Sequence, residues 1–230
     1  MREQQTTRRV SEGKCSLCNG TFSKAAITKH LESCRERKKV PETLSKSRGL
    51  KKMKIFHLVV EGHDLPTYWI HLDAPVNATL KDLDDFLRDT WLECCGHLSA
   101  FTIEGRRYEV AENEFMEVEI MDVVLGKVIN PRMKFYHEYD FGTTTELKLR
   151  VVSEREGEFK GKSIRLLARN NPPMITCGSC GKIATQVCGQ CIWSGEGWLC
   201  DECIREHECG EEMFLPVVNS PRVGMCGYTG

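Results

Sequence analysis

From Lys54 onward, apolar and polar positions fall into short strand-like runs broken by one helical stretch. Ile55–Val60 is a β-prone run, EGHDLP a turn, and Tyr68–Leu72 a second strand ending at Asp73-Ala74-Pro75. The period then changes. Thr79 can cap a helix with Asp82 at its third position, and Leu80, Leu83, Leu87, Trp91 and Cys94 recur on one face. Asp82, Asp85 and Arg88 fall on the other face. Phe101–Ile103 and Tyr108–Val110 read as a hairpin around Glu-Gly-Arg, and Phe135–Tyr139 and Glu146–Val152 as two strands around Phe141-Gly142-Thr143. Ile164–Ala168 is a last strand before the break at Asn170-Asn171-Pro172-Pro173. The order β-β-α-β-β-β-β predicts an α+β fold, a curled mixed sheet packed on one main helix in a β-grasp-like arrangement.

The flanks of this region have a different character. Residues 12–36 form a compact Cys/His segment, 37–53 a basic linker read as flexible, 54–170 the α+β domain, and 174–230 a Cys/His-rich module. A hydrophobic content of 40% with 28% charged residues is that of a soluble globular chain. No apolar run approaches bilayer length and the N-terminus carries no h-region, so the expected location is cytoplasmic, without a membrane partner. The net charge of −1 conceals an asymmetry: residues 1–54 hold 15 Lys/Arg against 5 Asp/Glu, the remainder 17 against 28. A basic arm on an acidic body points either to a polyanionic partner or to a solvated tail, and charge alone favours neither.

Thirteen cysteines in a chain expected to meet a reducing environment suggest metal ligation rather than disulfides. Eight form Cys-x2-Cys pairs, 15/18, 177/180, 188/191 and 200/203, a spacing that lets both thiolates meet one ion from a tight turn. Cys94 and Cys95, being adjacent, lack that spacing and are assigned to the helix end and core. At the N-terminus, Cys15, Cys18, His30 and Cys34 supply a complete ligand set, with Phe22 and Ile27 spaced to form a miniature core. So small a unit needs the metal's binding energy to fold. The segment CSLCNGTFSKAAITKHLESC resembles the Cys-Cys-His-Cys finger of the ZC2HC-type family, which implies a binding module.

At the C-terminus, Cys177, Cys180, Cys188, Cys191, Cys200 and Cys203 exceed one tetrahedral site, so two zincs are expected, completed by two of His207, Cys209 and Cys226. Gly178, Gly181 and Gly189 permit tight knuckles beside the sulfurs. Which pairs share an ion is open; the spacing loosely resembles RING, B-box and MYND modules, in which first and third pairs commonly combine. The expected cofactor is thus zinc, about three ions per chain.

The stretch 54–150 resembles the plasmid pRiA4b ORF-3-like family through Tyr68-Trp69, the helix from Thr79 to Leu83, His97 and Phe101, Gly105-Arg106-Arg107-Tyr108 and Tyr139-Asp140-Phe141-Gly142. Where that family continues with acidic residues and a tryptophan, this chain has Thr143-Thr144-Thr145. The resemblance implies an α+β fold and little about function. Asp140-Phe141-Gly142 lacks every other kinase feature and reads as a turn. His57, His63, His71, His97 and His137 are scattered, and no catalytic residue is assigned. Three functions follow: a zinc-binding interaction protein contacting DNA or RNA through residues 1–54, a protein–protein adaptor acting through the C-terminal zinc module, and an enzyme using the central domain. A deep central recess with convergent His, Asp and Arg would support the last.

Overall fold

A tight turn through Asn19, at φ 59°, and a serine cap shape the N-terminal segment. In the computed structural model, which describes residues 11–38, 50–110, 118–160 and 164–230, β1 (Glu12–Cys15) and β2 (Thr21–Ser23) make an antiparallel hairpin. Ser23 then caps α1 (Lys24–Ser33) by accepting from the Ala26 amide, and a single turn, α2 (Arg35–Lys38), follows. Residues 39–49 of the expected linker lie outside the described residues, and β3 (Leu50–Gly62) takes up its end.

β3 pairs with β4 (Trp69–Pro75), and α3 (Leu80–Leu87) starts at a capping box in which Thr79 and Asp82 satisfy each other's backbone amides. A π-helical turn, Arg88–Leu92, continues α3 and buries Trp91. Next come β5 (Ser99–Ile103) and β6 (Arg106–Glu109), joined by Glu104 and Gly105 at φ of 50° and 81°. Two consecutive left-handed residues are what a tight hairpin turn of this type demands. β7 (Glu119–Ile120), α4 (Leu125–Val128), β8 (Lys134–Tyr139), β9 (Thr145–Lys160) and β10 (Arg165–Asn170) complete the body.

These strands form one ten-stranded sheet in the order β2-β1-β10-β4-β3-β9-β8-β5-β6-β7, antiparallel except for β6 with β7. The α+β class is as expected, but the sheet is larger than a single grasp. It grows because the N-terminal hairpin adds to the β10 edge, with Gly13 opposite Asn170 and Cys15 opposite Ala168. Gly13 makes that addition sterically feasible: a Cβ there would overlap the Arg169 carbonyl oxygen and lie 2.5 Å from the Trp69 ring.

Every residue of β4 is buried, because the sheet is covered on both faces here. Ile70, Leu72 and Ala74 belong to the main core with Leu80, Leu83, Leu87 and Trp91, whereas Trp69 belongs to a second cluster with Ile27, Leu31 and Leu167. The finger therefore shares a core with the central sheet. Past β10 the chain enters a second, three-stranded sheet of β11 (Gln186–Cys188), β12 (Trp198–Leu199) and β13 (Phe214–Pro216), with β11 in the middle. Beyond Pro216 it returns to the central body, where the Ser220 hydroxyl donates to the Trp91 carbonyl at 2.6 Å and the Arg222 side chain is fully buried. No helix among the described residues is long and apolar enough to cross a membrane.

Candidate metal centres

A recurring local device builds these sites. After Cys15, Cys34, Cys177, Cys188 and Cys200 the chain turns so that the amides two and three positions on point at the cysteine's own sulfur. Amide donors of this kind stabilise a thiolate and orient it for a cation. At Cys177 burial opposes the charged form, but the amides of Cys180, Cys200 and Ser179 outweigh it and draw the thiol down to about 6. At Cys188 burial is likewise overcome by the Cys191 amide, His207 and the Gln190 amide, and the thiol falls to about 7.

The donor atoms converge in four groups, each with all its atoms within 4.8 Å of one another: Cys15, Cys18, His30 and Cys34; Cys177, Cys180, Cys200 and Cys203; Cys188, Cys191, His207 and Cys209; and Cys94, Cys95, His97 and Cys226. The cysteines are free rather than joined as disulfides. Cys180 and Cys200 sulfurs stand 3.6 Å apart, as do those of Cys191 and Cys209, close to the tetrahedral edge of about 3.8 Å expected for zinc–sulfur bonds of about 2.3 Å. Charge points the same way. Contact with Cys180 first, then burial and Cys200, pushes the Cys203 thiol up to about 12; Cys191, then Cys188, does the same to Cys209. Several thiolates this close require a shared cation to ionise together, and soft sulfur with imidazole is compatible with zinc.

In the finger, β1 ends on Cys15, Asn19 at φ 59° closes the knuckle, and α1 with its C-cap delivers His30 and Cys34. Cys18 Sγ lies 3.4 Å from His30 Nε2, and Phe22 stacks on the His30 ring at 3.8 Å, fixing the imidazole plane. In the C-terminal module first and third pairs combine, as do the second pair with His207 and Cys209. Cys226 does not join it. That cysteine lies beside Cys95 at 3.8 Å and His97 Nε2 at 3.1 Å, on the central domain. The fourth group was outside the sequence reading, which placed Cys94 and Cys95 in the helix end and core; only Cys94 packs partly against that core. The signal available was a Cys-Cys-Gly-His string together with a cysteine left over from the C-terminal pairs.

Other predicted residues serve the interior. Asp140, at φ 65°, opens the turn of Asp-Phe-Gly, its carboxylate accepting from the Gly142 amide at 3.0 Å and the Thr143 hydroxyl at 2.6 Å. His137 Nε2 meets Asp84 Oδ1 at 2.8 Å and Arg88 meets Asp84 at 2.9 Å, so His, Asp and Arg do converge. His137 and Asp84 are wholly buried, however, and the arrangement is an internal polar network under α3.

No protein-family model matches the chain, and no curated protein does. Among solved structures it is similar to the crystal structure of a protein of unknown function from Methanosarcina mazei Go1, at 16% identity and a TM-score of 0.47, over 53% of this chain and 71% of that one.

Proposed function

We propose that this protein is a zinc-stapled protein–protein adaptor that engages its partner through the C-terminal module. The observation that carries the reading is Trp193, which is 70% exposed on the turn after Cys191. It borders a recess of about 320 Å³ lined by Leu65, Ile192, Trp198, Val223 and Met225. An exposed tryptophan beside an apolar recess is the typical anchor of an interface hot spot. The zinc sites supply rigidity: Cys191 fixes the base of the turn, and all four positions of each cluster are protein-supplied, the form of a structural site.

The nucleic-acid reading through residues 1–54 comes second, because part of that segment's charge is already paired with carboxylates of the central domain, in the interior for Arg37 and nearer the surface for the lysines. Arg37 pairs with buried Asp73 at 2.6 Å, Lys24 with Glu61 at 3.0 Å, and Lys52 and Lys54 with Glu156 and Glu154. What favours it is the charge of Arg2, Arg8, Arg9, Lys39, Lys46 and Arg48, which lie outside the described residues. The resemblance of residues 54–150 to the pRiA4b ORF-3-like family adds a fold expectation to either reading.

Affinity capture with the wild-type chain and with Trp193→Ala tests the adaptor. Partners retained by the wild type should be lost from the variant, while metal content stays the same. If the retained set does not depend on Trp193, the adaptor reading fails at this surface. A duplex and RNA titration across salt concentrations tests the alternative, whose mark is an affinity that falls steeply with salt.

A further inference from the structure

We propose that Cys94, Cys95, His97 and Cys226 hold one soft divalent cation of the zinc class, and that this ion clasps the C-terminal segment onto the central domain. The sulfurs of Cys94 and Cys95 are 3.7 Å apart, those of Cys95 and Cys226 3.8 Å, and His97 Nε2 is 3.0 Å from Cys95 and 3.1 Å from Cys226. One sulfur–sulfur contact of this length is ordinary van der Waals contact. Four donors converging on one point is the edge pattern of a coordination tetrahedron, whose sulfur–sulfur edge is about 3.8 Å. The same pattern recurs in the three clusters built on Cys-x2-Cys pairs.

The surroundings hold the donors in place. Tyr139 Oη accepts from the amides of Cys94 at 3.4 Å and His97 at 3.3 Å and donates to Glu93 at 3.0 Å, while Glu93 also accepts from the Gly96 amide. The loop that carries three ligands is thus fixed from beneath. Gly96 makes the turn at φ 80°, and Cys226 itself stands in the left-handed region at φ 45° between Gly224 and Gly227, which are left-handed too. That backbone aims its sulfur back at the loop. The fully buried Arg222 places a guanidinium nitrogen 3.4 Å from Cys94 Sγ while paired to Asp140 at 2.7 Å.

This site differs from the others in two ways that define its role. Its ligands come from segments 131 positions apart, so the ion bridges the loop after α3 to a tail that contains no strand or helix beyond Pro216. Its cysteines are also more open to solvent: Cys95 and Cys226 are exposed and Cys94 half-buried, whereas each other cluster buries at least one cysteine. A clasp so placed exchanges its ion more readily than the sites around it.

The test uses the full chain purified with zinc under reducing conditions, alongside Cys226→Ser and Cys95→Ser. Because both residues are exposed, neither substitution disturbs the core. Metal analysis should find about four zinc ions in the wild type and about three in each variant. Hydrogen exchange should show residues 224–230, beyond the Arg222 anchor, losing protection in both variants, and in the wild type when a mild chelator removes its first ion. Equal metal content in wild type and variants overturns the site. A lost ion with unchanged tail protection overturns the clasp, and a disulfide from Cys226 in the reduced preparation overturns both.

Discussion

His57 and His71 meet on neighbouring strands with Nε2 and Nδ1 3.0 Å apart, both buried beside a carboxylate already claimed by arginines. Asp73 receives Arg37, Arg155 and Arg165, each at 2.6 Å, and although burial opposes its charge these partners hold it at about 2. Burial first, then the Arg37 charge, pulls His57 down to about 3, and burial followed by His57 itself holds His71 well below its usual range. The folded chain keeps both imidazoles neutral while the unfolded chain protonates them near pH 6.5. Stability from this pair is therefore full above about pH 6.5 and is lost as pH falls from there toward 3, by at most about 1.4 kcal/mol per pH unit for each ring. In urea titrations between about pH 7 and 5, His57→Gln should lose stability less steeply than the wild type by up to that amount. Parallel slopes would show that His57 does not carry the dependence.

At the scale of elements, the decisive contact is β1 on β10. Hairpin addition to a sheet edge uses backbone hydrogen bonds that any sequence can make, so the specificity must come from side chains at the seam. Gly13 is that residue, since the Trp69 ring occupies the place of its Cβ while Trp69 Nε1 donates to the Ser11 hydroxyl at 2.8 Å. Gly13→Val should shift or release the finger and cost about 1–3 kcal/mol by overpacking, with loss of hydrogen-exchange protection in β1 and β2 but not in β8. Protection unchanged at β1 would refute the seam. Much at this scale was legible beforehand. The Thr79–Asp82 capping box, the Phe135–Tyr139 alternation and the 101–110 hairpin depend on residues only a few positions apart. The edge addition was not, because nothing in the sequence near Gly13 points to Trp69, whose ring fills the place of its Cβ only in the folded chain.

For the whole molecule, the metal clusters and the large core divide the work. The main core joins Phe56, Leu58 and Ile70 of the sheet to Leu83 and Trp91, an apolar mass that does not need an ion. The C-terminal module touches that core through Val187, Ile192, Trp198 and Leu215, and its own cluster is small, made largely of Cys177, Cys188, Leu199 and Cys200, a makeup in which bound metal would supply much of the folding energy. Exhaustive chelation should therefore abolish protection across β11–β13 while β3, β4 and β9 remain protected, as read by hydrogen exchange. Uniform collapse of both sheets would show that the metals support the entire chain.

The sequence alone pointed to the Cys-x2-Cys pairs, the finger's four candidate ligands, the α+β class and the helix cap, because each rests on close spacing along the chain or on the periodicity of successive elements. Tertiary structure decided how the pairs combine, which of His207, Cys209 and Cys226 complete them, and where the finger docks. The fate of Cys226 illustrates the reason most directly. Cys94, Cys95 and His97 lack chelating spacing among themselves, and become a ligand set only when Arg222, buried against Asp140 and Tyr139, brings the tail across to them. Proximity across 131 positions is a product of packing, and no local pattern carries it.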